Sequence, residues 1–258
     1  MMELKCKKIL VCDGSVDGVF TAIYKAYDLR YGHENIKIIE KDPYVEQELF
    51  AEYIEIETDY ELSYKVGNSL QKKISKNVYD TAITAALSGD NGRADIIYRF
   101  VVLAFQIGNR ILEHRYNETV DAIHRLIRNV NNEIHHMQGF LRFQEVADGF
   151  LLSIIRPKNN IVGNLANFFE ERLNNENFII FDEGRSTAAV HQKNQTIFLV
   201  PMKKEVLDEM IHIKSDQEEY ENLWKAFFKS ISIKERENPK LQRNLMPLHF
   251  RNYMTEFQ

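Results

Sequence analysis

The chain has 258 residues, 44% of them hydrophobic and 28% charged, with five prolines and a formal net charge of −5. That composition excludes a fibrous or low-complexity protein and gives enough chain to bury a core as one large domain or two modest ones. The acidic balance excludes a general polycation, so a nucleic-acid role must rest on local patches. Two cysteines, Cys6 and Cys12, are too few for a disulfide framework or a cysteine-held cluster.

The opening MMELKCKKILVCDG carries charges where a secretory signal needs an apolar run. The greasiest run, Ile96 to Ile107, contains Arg99 and Gln106 and is too short to span a bilayer. A cytoplasmic, reducing setting without membrane attachment is expected.

Lys8 to Cys12 reads as a short strand, followed by Asp13-Gly14-Ser15-Val16-Asp17-Gly18 and a helix to about Tyr31. Val16, Phe20, Ile23, Tyr24 and Tyr27 form the buried face of that helix. A strand, a glycine-containing turn and a helix can hold an anion. Asp13 and Asp17 would repel a phosphate, however, and neither a Walker loop nor a dinucleotide fingerprint is matched, so a capped, tightly packed turn is expected.

Nine acidic residues lie between Glu40 and Glu61, against Lys41 alone. Within this stretch Leu49 to Thr58 alternates, predicting an edge strand with Phe50, Ile54 and Ile56 inside. Charge then inverts. Leu62, Val66, Leu70 and Ile74 line one face of a helix, with Lys65, Lys72, Lys73 and Lys76 on the other. A solvated face is the plain reading and a phosphate-contacting face the sharper one.

Asp80 to Leu87, Ala94 to Leu112 and Asn117 to Met137 read as three helices. The second is apolar almost all round, which predicts the centre of a helical subdomain. The third carries Val120, Ile123, Ile127, Val130, Ile134 and Met137 as a packing seam. His124, beside that seam, reads as a hydrogen-bonded core histidine. Glu133 and His136 make one Glu-x-x-His pair where a di-iron bundle needs two, so no metal site and no cofactor are expected.

After Gly139 the period shifts from 3.6 to 2. A strand, a turn at Asp148-Gly149 and a second strand, Phe150 to Ile155, predict a hairpin. Arg156-Pro157-Lys158-Asn159-Asn160 leads into a helix burying Ile161, Leu165, Phe168, Phe169 and Leu173. Phe178 to Phe181, Thr187 to His191 and Thr196 to Val200 complete a β-β-α-β-β-β unit, expected as an antiparallel sheet with one helix on a face.

The last stretch begins with a capping box, Ser215 and Glu218, and a helix with Tyr220, Leu223, Trp224, Phe227, Phe228 and Ile231 on one stripe. Lys234, Arg236, Lys240, Arg243 and Arg251 follow, interleaved with Leu241, Leu245, Met246, Phe250 and Tyr253 as apolar anchors. The stripe is too wide for an independent arm, so a clasp docked on the fold is expected. The fold class is therefore α+β: a helical middle region, the antiparallel sheet unit and a C-terminal helical clasp. The expected division is 1–138 and 139–258, with one continuous domain as the alternative.

Several segments together resemble a bacterial DNA metabolism (DNA repair) protein family whose members accompany a radical-SAM protein or are fused to uracil-DNA glycosylase. They are Cys12-Asp13-Gly14-Ser15 with Gly18, Met137 through Phe143, Asp148-Gly149, Asn160-Ile161 and Ile179 through Asp182. In the tail they are Leu223-Trp224-Lys225, Ile231 through Arg236, Asn238 through Gln242 and Met246-Pro247. The pattern departs after Pro247, where Leu248-His249-Phe250-Arg251 stands in place of a basic pair and aromatics that include a tryptophan.

What the resemblance implies is a DNA-handling accessory subunit working with a radical-SAM partner. The seven Lys/Arg between Lys225 and Arg251, against Glu235 and Glu237, suit that reading. Its DNA contacts would be Lys234, Arg236, Lys240 and Arg243, extended by Arg142, Arg156 and Lys158 if the hairpin lies beside the tail. Two alternatives stand. One is a protein-interaction adaptor without direct DNA contact, suggested by the acidic 40–61 segment. The other is a hydrolase acting on DNA, with Asp13, Asp17, Glu133, His136 and Asp182 as its candidate groups.

Overall fold

A computed structural model describes residues 6–42, 48–146, 149–207 and 239–254. Two compact units divide the chain, residues 1–131 and 132–258.

The first unit is built on a three-stranded parallel sheet: β1 (Lys7–Cys12), β2 (Ile36–Glu40) and β3 (Ala51–Glu55), in the order β2-β1-β3. Leu10 of β1 sits opposite Ile38 on one side and Ile54 on the other. A parallel neighbour requires a crossover, and α1 (Val16–Asp28) supplies it between β1 and β2. Ile9, Leu10, Phe20, Ile23, Ile36 and Ile38 are at most 2% exposed, so strand and helix faces form one core.

Four helices follow: α2 (Tyr60–Lys73), α3 (Lys76–Ala86), α4 (Arg93–Ile107) and α5 (Glu118–Phe140). Each of α2 and α3 begins where a side chain takes over its orphan amides. Asp59 accepts from Glu61 N and Leu62 N, and Ser75 from Val78 N. The apolar helix α4 buries Ile97, Tyr98, Phe100 and Val101 completely. It also serves the sheet, which its composition did not reveal. Asp95 Oδ1 accepts from Ile38 N at 3.1 Å, and the Arg99 guanidinium donates to the Ile36 and His33 carbonyls. These side chains satisfy backbone groups along β2 that would otherwise face outward unpaired.

The strand Ile36–Glu40 was not expected, and two expectations for this unit need correction. Phe50 is 89% exposed, standing just ahead of β3 at φ +58°, while Ile54 and Ile56 do pack on the core. His124 Nε2 is buried without a hydrogen-bond partner among the described residues, so this histidine is not the satisfied group expected.

The second unit holds a five-stranded sheet of β4 (Gln144–Glu145), β5 (Phe150–Ile155), β6 (Asn177–Asp182), β7 (Thr187–His191) and β8 (Phe198–Pro201), in chain order. It is not antiparallel throughout. β5 and β6 run parallel, with Leu152 opposite Ile179. The reason is α6 (Val162–Arg172), which carries the chain back before β6 begins. The other three pairings are antiparallel. Helix α5 continues to Phe140 rather than stopping near Met137, which shortens β4 to two residues.

The aromatic helix from Tyr220 to Ile231, with Trp224, Phe227 and Phe228, lies outside the described residues. The described tail comprises α7 (Pro239–Leu245) and a 3-10 segment, Leu248–Tyr253. Its anchors are Met246, Phe250 and Met254, all buried, whereas Leu241 and Leu245 are exposed rather than anchoring. Among the described residues no helix is long and apolar enough to cross a membrane.

Candidate nucleic-acid interface

The loop Arg156–Asn160 leaves β5 and enters α6, and three separate parts of the second unit hold its backbone. From α5, the Glu133 carboxylate accepts from Lys158 N and Asn159 N at 2.8 Å each, and from Asn159 Nδ2 at 2.6 Å. From the β6–β7 turn, the Arg185 guanidinium donates to the Pro157 carbonyl at 3.1 Å and to the Lys158 carbonyl at 2.6 Å. From the tail, the Tyr253 hydroxyl lies 3.2 Å from both the amide and the carbonyl oxygen of Arg156.

Arg185 is itself positioned by Asp182, which is fully buried. Asp182 Oδ2 pairs with Arg185 Nη1 at 2.9 Å, and Oδ1 accepts from Gly184 N and Arg185 N. Burying a carboxylate is costly unless donors meet it, and these three hydrogen bonds offset that cost. With its backbone so engaged, the loop presents Arg156 and Lys158 as exposed side chains while Asn159 is 3% exposed.

The tail reaches the loop through an aromatic seat. Phe250 packs on His136 and Phe140, with ring centroids 5.0 and 5.5 Å apart, and His136 stacks on Phe140 at 5.8 Å. Arg251 Nη2 donates to Gln242 Oε1 at 3.2 Å, tying the 3-10 segment to α7. Lys240 and Arg243 are exposed on that helix. Arg142 behaves differently. Its Nη1 donates to the Gly139 and Leu141 carbonyls at 2.8 and 3.2 Å, where α5 ends.

Of the seven cations expected at a DNA contact, Arg142, Arg156, Lys158, Lys240 and Arg243 thus belong to one connected set of elements. Lys234 and Arg236 lie outside the described residues. Tyr253 was legible as an anchor, but Glu133 and Arg185 were not, since their partners lie 25 to 28 residues away in sequence.

Burial lowers the pKa of His136, helped by His135 and His249 and opposed by Glu133. A depressed histidine favours the neutral form in the folded state, so its stabilisation is present above the unfolded value of about 6.5 and is lost as pH falls below it. Thermal melts should show the second unit weakening as pH drops from about 7.5 towards 5.5. His136→Gln should flatten that slope, and an unchanged slope would assign it to other groups.

The remaining candidate groups, Asp13 and Asp17, belong to the first unit. Asp13 Oδ1 accepts from Ser15 N and Ser15 Oγ at 2.8 and 2.7 Å, and Asp13 Oδ2 from Thr58 Oγ1 at 2.8 Å. Ser15 Oγ then caps α1 by accepting from Gly18 N, Asp17 accepts from Ser63 Oγ, and Arg93 Nη2 donates to the Gly14 carbonyl at 2.7 Å. This is the capped turn expected. It stands at the C-terminal end of the central strand β1, where open parallel sheets commonly bind ligands. The Asp13–Thr58 bond joins it to the residues just past β3. Burial pushes the Cys12 thiol up to about 11, so it stays protonated. Among the described residues no group of three or more His, Cys, Asp and Glu side chains is arranged to hold a metal ion.

Residues 91–256 match the model of a family described as a domain of unknown function, DUF4130. No curated protein matches the chain.

Proposed function

Since the chain belongs to the DUF4130 family, we propose that it is a DNA-handling accessory subunit in DNA repair or DNA metabolism that works with a radical-SAM partner. The observation that carries this reading is the loop Arg156–Asn160. Its amides and carbonyls are held by Glu133, Arg185 and Tyr253, and its two cationic side chains face solvent. Pre-ordered cations lose less conformational freedom on meeting a phosphate than cations on a loose loop. The docked tail adds Lys240 and Arg243 on α7 within the same unit. Contacts of this kind position a backbone and carry little base information, so the reading is of binding that follows DNA structure more than sequence.

A second reading, an adaptor without DNA contact, has one observation behind it. Leu49 and Phe50, in the acidic segment, are 86% and 89% exposed. One experiment separates the two. Binding of single- and double-stranded oligonucleotides is measured by fluorescence anisotropy between about 50 and 200 mM salt. For the duplex, four phosphate contacts give a log–log slope of about −3.6, and Arg156→Ala with Lys158→Ala reduces its magnitude by about 2. No affinity at low salt, together with co-elution of the radical-SAM protein after co-expression, transfers the assignment to the adaptor.

A further inference from the structure

A second feature lies wholly within the first unit. Tyr24 and Tyr27 of α1, Phe105 of α4, and Lys65, Ser69 and Lys73 of α2 border a pocket of about 360 Å³. That volume is at the small end of ligand sites. One wall is aromatic, with Tyr27 edge-to-face on Phe105 at 5.9 Å. The rim is cationic. Lys65, Ser69 and Lys73 recur every four residues, so they share a helix face, and about 12 Å of helix separates the outer two. Four-carbon stems allow both ammonium groups to converge over the Ser69 hydroxyl.

The Tyr27 hydroxyl is shut off from solvent, so Tyr27 lines the pocket with its ring. Lys65 and Lys73 are exposed and have no ion-pair partner among the described residues, so both ammonium groups are open to an anion.

We infer that this pocket binds a small aromatic compound carrying one anionic group, with its ring against Tyr24, Tyr27 and Phe105 and its phosphate or carboxylate between Lys65 and Lys73. This site owes nothing to the loop of the second unit, so the two assignments stand or fall separately.

Calorimetric titration of the full chain with phenyl phosphate tests it, with benzoate, inorganic phosphate and phenol as companions. Phenyl phosphate or benzoate should saturate one site, and the better of the two identifies the anionic group. Inorganic phosphate and phenol should each bind at least about tenfold more weakly, because each has only half the recognised chemistry. Lys65→Ala with Lys73→Ala should weaken binding at least about tenfold without lowering the melting temperature, both side chains being exposed. No saturable binding of either aromatic anion at millimolar concentration would overturn the assignment. So would equal affinity for inorganic phosphate, or full affinity in the double-lysine variant.

Discussion

Asp182→Ala is expected to destabilise the second unit by about 3–5 kcal/mol, the usual cost of removing one member of a buried ion pair. Asp182 is 0% exposed and accepts three hydrogen bonds, two from the turn's own amides and one from Arg185. Its loss strands the Arg185 guanidinium, which is 30% exposed and spans two carbonyls of the Arg156–Asn160 loop. Asp182→Asn keeps an acceptor for the amides and loses only the charge, so about 1–2 kcal/mol is expected. Denaturant unfolding of both variants measures the difference. Under the proposed function the alanine variant also loses DNA affinity, although no cation has been removed. A cost below about 1 kcal/mol for the alanine would mean that Asp182 holds nothing that matters.

Gly18→Ala is the second large effect, at about 1–3 kcal/mol. A Cβ built there lies 2.0 Å from Asp13 Oδ1 and 3.0 Å from Thr58 Oγ1. A long side chain would swing away, but Asp13 is short and is held by Ser15 and Thr58. Burial tends to raise the Asp13 pKa, yet these hydrogen bonds outweigh it and leave the carboxyl below its ordinary value. Asp13 therefore stabilises the fold above its unfolded pKa, and the contribution disappears as pH falls through the depressed one. Removing the carboxylate should remove the clash. The double variant Gly18→Ala with Asp13→Ala should cost less than the two single costs combined, by more than about 0.5 kcal/mol, and strict additivity would refute the contact.

Much of the first unit was legible because its signals are local. The helix periodicities, the capped turn at Asp13–Gly18 and the strand Lys8–Cys12 all depend on residues within one or two turns of each other. Strand β2 escaped notice because it has only five residues, IKIIE, running straight into an acidic stretch. The sheet of the second unit was misread for a different reason. Strand signals give alternation, not direction, and only the return of the chain through α6 makes β5 and β6 parallel. Among the candidate site residues, cations stand out in any sequence. The groups that hold them do not: Glu133 looked like half a metal motif, and Asp182 and Arg185 like turn residues. Their roles depend on contacts between distant segments, which no local pattern encodes.

The treatment of β2 has a further consequence for how the molecule meets its own copies. Asp95 and Arg99 occupy backbone groups along β2 that an incoming strand would need. Sheet-to-sheet association through that side is therefore blocked by a helix that is part of the core, which is a durable form of protection. β3 has no such cover among the described residues, and its neighbours are the exposed Leu49 and Phe50. Its defence is electrostatic: Glu52 and Glu55 stand on the strand, paired with Lys8 and Lys41. High salt or acid weakens that defence first, so aggregation through the first unit, where it occurs, is expected to begin at β3.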